Sequence, residues 1–312
     1  MTDQHLPVML NAVLDGLSIR PDGCYVDATF GRGGHSAAIL ARLGDNGRLI
    51  ALDRDSDAVA AGHARFADEP RFTIRHAPFS TLRAVVDDAV AGGRVDGLLF
   101  DFGVSSPQLD EADRGFSFLR DGPLDMRMDS DQVLTAAAYV ADISESELRR
   151  DIQRLGEERL AARIAGAIVR ARDKAPITRT LQLAGIVEAA TPARVRARST
   201  RHPATRTFQA IRMRINNELG QIGDALDSVV DVLAVGGRVC FLTFHSLEDR
   251  PVKRFLRAQS AEDPVYRGLP DVPEHAQPLM RIIGKARVAD DAEVAGNPRA
   301  RSARLRVGER AR

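Results

Sequence analysis

Apolar positions along the first hundred residues switch repeatedly between two periods. Val8, Leu10, Val13, Leu14 and Leu17 recur at helical spacing and predict an amphipathic helix over residues 8–19, ended by Pro21-Asp22-Gly23. A short apolar run then predicts a strand at 24–28, followed by the glycine-rich turn Phe30-Gly31-Arg32-Gly33-Gly34 and a helix from His35 to Leu43. A second strand covers 48–52 and ends at Asp53, and a helix over 56–66 takes Ser56 as its N-cap. A third strand covers 72–76. The fourth, 95–102, has the near-continuous apolar pattern of a strand buried on both faces. Strand–helix alternation of this kind predicts an α/β fold with a mostly parallel sheet.

The pattern then changes. The next convincing strand is 238–244, preceded by a helix over 220–233. The intervening stretch is far longer than a βαβ crossover, whose whole unit takes about 30 residues. It carries helical signals instead: a capping box at Ser144-Glu145-Ser146-Glu147 opening a helix to about Leu155, then helical periodicity over 157–172 and 180–190. This predicts an all-helical domain inserted at 106–204, within a discontinuous main domain formed by 1–105 and 205–312. A helix over 207–219 is read as the return to the main domain, and 287–297 as a flexible link to a last strand at 303–307.

Bulk properties narrow the class. The chain has 312 residues with 44% apolar and 28% charged, normal for a folded protein. No apolar run nears the roughly 20 residues that span a bilayer, and the first residues lack a basic, then apolar leader, so a cytosolic protein is expected. Cys24 and Cys240 both sit in strand-like apolar runs and read as buried core thiols, too few for a zinc site. Of the 44 basic residues only Lys174, Lys253 and Lys285 are lysine. Seven arginines and no acid fall between Arg194 and Arg214, and six more arginines close the chain from Arg299 to Arg312 against the single acid Glu309. Both runs are read as candidate contacts to an RNA backbone.

Chemistry is concentrated at strand ends. Glycines at 31, 33 and 34 let backbone approach a ligand, and the start of the following helix suits a carboxylate or phosphate. Asp53 stands about 20 residues past the turn, placed to accept from both hydroxyls of an adenosine ribose. That pair fits NAD and S-adenosylmethionine alike. The turn is not G-x-G-x-x-G, however, and Asp27 just before it favours an ammonium or sulfonium ligand over a pyrophosphate, so S-adenosylmethionine is preferred. Phe79, just past the third strand, is a candidate to pack on adenine.

The fourth strand ends in Asp101-Phe102-Gly103-Val104-Ser105-Ser106-Pro107-Gln108. Asp101, Ser105 and Ser106 offer acceptors for the two hydrogens of a base amino group, whose nitrogen is a poor nucleophile while its lone pair is delocalised. Attack through a ring carbon of cytosine needs a cysteine nucleophile, and neither cysteine lies in this loop; nitrogen is the expected target. Phe116 and Phe118 are candidates to stack an extruded base or to plug the insert onto the main domain. His245, at the end of the fifth strand, is read as orienting the base or capping a helix.

Taken together these blocks resemble the bacterial 16S ribosomal RNA cytosine-N4 methyltransferase family known as RsmH or MraW. The matching runs are His5-Leu6-Pro7-Val8, Val26 through Ser36, Asp101 through Asp129, His202 through Ala210, Phe244 through Arg250 and Asn297 through Ala303. The resemblance implies a class I S-adenosylmethionine-dependent methyltransferase fold with a helical insert that helps hold RNA. It implies methylation of a cytosine amino group in the decoding region of the small ribosomal subunit, with cofactor contacts at Gly33, Gly34, His35, Asp53, Phe79, Asp101 and Gln108. His35 and Gln108 come from the resemblance alone. Ala162 and Ala286 stand where the family usually has a basic residue and a proline, both away from the expected cofactor site. Two other readings are a non-catalytic RNA-binding assembly factor, disfavoured by the intact Gly33-Gly34 turn, Asp53 and Asp101, and an NAD-dependent oxidoreductase, disfavoured by Asp27. Monomer and homodimer both remain open.

Overall fold

The computed structural model describes residues 7–263, 265, 266 and 273–312, so the His5-Leu6 part of the first matching run lies outside the described residues. The chain forms two compact units. One runs to Gly103 and resumes at Leu219; the other is Val104–Glu218.

The first unit is built on one sheet. Its strands are β1 (Cys24–Asp27), β2 (Arg48–Asp53), β3 (Phe72–His76), β4 (Val95–Asp101), β5 (Leu233–Thr243), β6 (Met280–Ile282), β7 (Arg287–Val288) and β8 (Arg304–Arg310). Their order is β3-β2-β1-β4-β5-β8-β6, with β7 also on β8. The first five are parallel; β8 runs antiparallel to β5, β6 and β7. This is a doubly wound, mostly parallel sheet, as the resemblance implies.

Side chains alternate across a strand, so each apolar strand feeds two cores. Val26, Leu98, Phe100, Val239 and Phe241 pack on one face with Leu82, Val86, Ile222, Leu226, Val229 and Leu256, which come from helices Leu82–Ala89, Glu218–Val232 and Ser246–Gln259. Tyr25, Leu99, Cys240 and Leu242 point to the other face, against Val13, Leu14, Leu17, Ile39 and Leu40 of helices Leu10–Leu17 and Gly34–Leu40. The continuous apolar run of β4 is explained by this double burial. Strand order reverses between β1 and β4, and in open α/β sheets that reversal opens a ligand crevice at the carboxyl ends of the strands.

The second unit is helical: Ser106–Asp110, Ala136–Asp142, Glu145–Leu155, Ala161–Arg172, Thr180–Ala190, Ala193–Arg196 and Thr205–Ile215. Tyr139, Leu148, Ile152, Ile164, Ile168, Leu183, Val187, Phe208 and Ile211 form its core. Ser144 caps helix Glu145–Leu155 as its sequence predicts, accepting from the Glu147 backbone N–H at 3.2 Å. Asn216 pins the loop at 126–128, accepting from Met128 N at 2.8 Å and donating to Met126 O at 2.8 Å. Those two bonds hold Met126 at φ 62°, a left-handed conformation that a side chain of this kind rarely adopts.

Several expectations are corrected. Helix Thr205–Ile215 belongs to the helical unit, because Phe208, Ile211 and Ile215 bury into that unit's core rather than against the sheet. The cap of helix Ser56–Arg65 is Asp55, whose carboxylate accepts from Asp57 N; Ser56 is already the first helical residue. The stretch 287–297 is not a plain link: it contains β7 and helix Asp291–Gly296, capped by Asp290. Phe116 is 6% exposed inside the helical core, and Phe118 lies 4.6 Å from the His202 ring and 4.8 Å from that of Phe208, so both serve the helical unit's own packing. No helix of the described residues is long and apolar enough to cross a membrane.

Candidate active site

β2, β1, β4 and β5 are neighbours, so the residues at their carboxyl ends come to one edge of the sheet: Asp53, Asp27, Asp101 and, two residues past β5, His245. The turn after β1 is shaped by Gly31 and Gly33 at φ 56° and 70°. A Cβ on Gly33 would stand 2.5 Å from the Phe30 ring, and one on Gly34 would stand 2.5 Å from Pro7, so these glycines are demanded by the protein's own packing as well as by backbone conformation.

Asp53 anchors the turn. One carboxylate oxygen accepts from Gly31 N at 2.7 Å and the other from Asp55 N at 2.9 Å. A carboxylate offers about four lone-pair positions, so capacity remains for ligand hydroxyls. Asp27 is buried and braced by the Ser36 hydroxyl at 2.6 Å and by Thr29 N at 3.3 Å. Asp101, ending β4, stands on the other side of Asp27 from Asp53: its backbone N donates to Thr29 Oγ1 at 2.6 Å, while its buried Oδ1 has no hydrogen-bond partner among the described residues. Thr29 and Ser36 were not singled out in the sequence. Their signal was available as the hydroxyl residues flanking the glycine turn.

Electrostatics mark this edge. Burial raises Asp27 to about 6. Burial, and then the neighbouring Asp55 and Asp27 charges, raise Asp53 to about 6 against its backbone donors. Burial, followed by Asp27 and Glu248, raises Asp101 to about 8. Recessed carboxylates that repel one another are stabilised by a cation placed among them. A sulfonium bearing an ammonium group fits that demand, a ribose fits the remaining acceptors of Asp53, and the orphaned Asp101 Oδ1 is free to accept from an amino group.

His35 is buried and neutral, held down to about 4 by burial, with Nε2 3.0 Å from Val8 O and Nδ1 3.6 Å from Asp101 Oδ2. Phe79 packs edge-on to Phe100 and Phe102 at 6.2 and 5.5 Å and stays half-exposed. His245 is the N-cap of helix Ser246–Gln259; Glu248 reaches back to accept from the N–H groups of Phe244 and His245, and lies 3.0 Å from His245 Nε2. Ser105, Ser106 and Gln108 belong to the helical unit. Ser105 is the N-cap of Ser106–Asp110, its N–H donating to Gln108 Oε1 at 3.0 Å in a capping box. The sheet unit therefore gathers Gly33, Gly34, His35, Asp53, Phe79, Asp101 and His245, and the capping turn of the other unit holds the remaining three.

The cysteines are free. Burial pushes Cys24 up to about 11 and raises Cys240 as well, so neither thiol is primed as a nucleophile. The arginine runs are largely consumed by structure. Arg196 pairs with Glu188, Arg206 with Glu158, Arg212 with Glu218 and Arg214 with Asp151. In the tail, Arg304 and Arg306 pair with Asp249, and Arg312 donates to Gln277 O and His275 O.

A family model described as the MraW methylase family matches residues 2–311. Two relatives, both named ribosomal RNA small subunit methyltransferase H, come from Coxiella burnetii strains Dugway 5J108-111 and RSA 331 / Henzerling II. Each is 50% identical over 308 residues, covering 99% of this chain and 99% of the relative. The chain is also similar to a solved rRNA methylase from Streptococcus thermophilus, with 99% of both chains covered at 11% identity and a TM-score of 0.43.

Proposed function

The chain belongs to the MraW methylase family, and on that premise we propose that it transfers the methyl group of S-adenosylmethionine to the exocyclic N4 of a cytosine in 16S ribosomal RNA of the small subunit. The observation that carries this reading is the trio of recessed carboxylates, Asp27, Asp53 and Asp101, at the point where strand order reverses. S-adenosylmethionine, when bound, supplies an electrophilic methyl group on a sulfonium.

The chain's own residues do the rest. Asp53 accepts from the ribose hydroxyls while its other acceptances hold the turn. Phe79 offers its exposed ring face to adenine. Gly33, Gly34 and His35 form the wall that follows β1. Asp101, in its ionised form, accepts a hydrogen bond from the cytosine amino group at Oδ1 and draws the nitrogen lone pair out of conjugation, and the proton that N4 sheds on gaining the methyl group passes to this carboxylate and on to solvent. This is catalysis by position and electrostatics, with no covalent intermediate. Gln108 is assigned to the cofactor by the family resemblance, Ser105 and Ser106 are read as further acceptors for the amino hydrogens, and His245 as orienting the base. A cytoplasmic setting follows from this substrate.

The test is to incubate the protein with methyl-labelled S-adenosylmethionine and small subunits from a strain lacking the enzyme, then digest the RNA to nucleosides. Label in N4-methylcytidine is expected. Label in C5-methylcytidine, or none, contradicts the reading.

A further inference from the structure

Three exposed cations of the sheet unit lie outside the arginine runs. Helix Ser246–Gln259 carries Lys253 and Arg257 one turn apart on one face, and the turn between β6 and β7 carries Lys285. All are exposed, and none makes a hydrogen bond or ion pair among the described residues. Together with Arg306 they line a cavity of about 230 Å³ whose floor is Leu256, Ile282 and Val307 and whose rim includes Gly284 and Ala286. No acid lines it. Asp249, four residues before Lys253, already accepts from Arg306 at 2.7 and 2.9 Å and lies 3.5 Å from Arg304. Gly284, at φ 68°, adopts the left-handed turn that sets the direction of Lys285.

We propose that this groove is a phosphodiester-binding subsite for the substrate RNA strand, with Lys253, Arg257 and Lys285 as its contacts and Arg306 as its fixed back wall. The inference rests on the RNA methyltransferase reading and adds a place where the backbone is gripped. The volume suits it: a water molecule's share of liquid is about 30 Å³, so the groove holds a phosphate with several waters. Its position suits it too. At 1.5 Å rise per residue, Lys253 and Arg257 lie roughly 12 and 18 Å along the helix from His245, a distance spanned by the nucleotides flanking a base at Asp101. Arg306 is locked by Asp249 and so pre-oriented; Lys253 also feels the Asp249 charge but makes no hydrogen bond or ion pair to it, and Arg257 and Lys285 have no hydrogen-bond or ion-pair partner among the described residues. Electrostatic contacts of this kind set register and affinity while carrying no sequence information.

The experiment compares wild type with the triple variant Lys253→Ala/Arg257→Ala/Lys285→Ala and the charge-keeping Lys253→Arg/Arg257→Lys/Lys285→Arg. Binding to unmethylated small subunits is measured across a potassium chloride series. A single-stranded contact contributes about 0.7 to the slope of log affinity against log salt, so the triple variant should lose about 2 from the slope. Its KM for subunits should rise at least tenfold, with KM for S-adenosylmethionine and kcat unchanged, and the charge-keeping variant should behave as wild type. An unchanged slope overturns the groove. So does a chloride-to-phosphate exchange showing that free phosphate binds wild type and not the triple variant while the RNA slope stays the same. Failure of wild type to methylate cytosine overturns the functional reading instead, and the slope still decides the groove.

Discussion

Asp101 Oδ2 lies 3.6 Å from Nδ1 of His35, a ring whose other nitrogen is committed to Val8 O at 3.0 Å. A carbonyl oxygen only accepts, so Nε2 carries the ring proton and Nδ1 presents a lone pair. Two acceptors therefore face each other unless Asp101 holds a proton, and burial with its acidic neighbours raises Asp101 to about 8. The residue thus rests largely protonated near neutrality, where Oδ1 is only a neutral carbonyl acceptor, and ionisation makes it the stronger acceptor for an amino group.

The first expected outcome is a pH profile. Single-turnover methyl transfer at saturating cofactor should rise with pH on a single ionisation lying at or below 8, because a bound cation lowers the Asp101 value. Asp101→Asn should lose at least 100-fold in rate and lose the inflection. A profile that is flat between pH 5.5 and 8.5 removes Asp101 from this role.

Asp53→Ala should show two effects. Losing the acceptor for Gly31 N and Asp55 N costs about 1–3 kcal/mol for each N–H left unpaired, visible as a lower denaturation midpoint. At a temperature where the variant is still folded, calorimetry should also find S-adenosylmethionine bound more than tenfold more weakly. Unchanged cofactor affinity would confine Asp53 to bracing the turn.

Gly33→Ala should destabilise the protein, since its φ of 70° disfavours a side chain and the new methyl group would collide with the Phe30 ring at 2.5 Å. Thermal unfolding checks this: roughly 1–3 kcal/mol is expected from strain and overpacking. A neutral result would mean that Phe30 swings aside and the turn tolerates an ordinary residue.

Stability should fall as the free protein is taken from acid towards alkaline pH, to the extent that these three groups control it. Their folded values of about 6, 6 and 8 lie above the unfolded carboxyl value near 3.9. Their contribution is whole below that unfolded value and is lost as pH rises through the folded values. Added S-adenosylmethionine should therefore raise the melting temperature more at pH 8.5 than at pH 5.5. An equal or smaller increment at pH 8.5 contradicts the electrostatic picture.

The sheet and its chemistry were legible because period and punctuation coincide there. β1, β2 and β4 are short apolar runs, each ended by an aspartate, and a glycine turn follows the first. Other features had no local signal. β6 and β7 span only Met280–Ile282 and Arg287–Val288 and exist through their pairing with β8. The stripe of helix Thr205–Ile215 says that one face is buried and not against which unit. The arginines of 194–214 looked unneutralised because their acids, Asp151, Glu158 and Glu188, lie elsewhere in the sequence and Glu218 just past the run. Asp55 outcompeted Ser56 as a cap by reaching Asp57 N, a one-residue offset that composition cannot resolve.

The central claim is that a cationic cofactor is held among recessed, partly protonated carboxylates. Calorimetric titration of S-adenosylmethionine at pH 7 in two buffers of different ionisation enthalpy tests it most directly. The account requires net proton release on binding, abolished for the Asp101 share in Asp101→Asn. Proton uptake, or heats independent of the buffer, would contradict it.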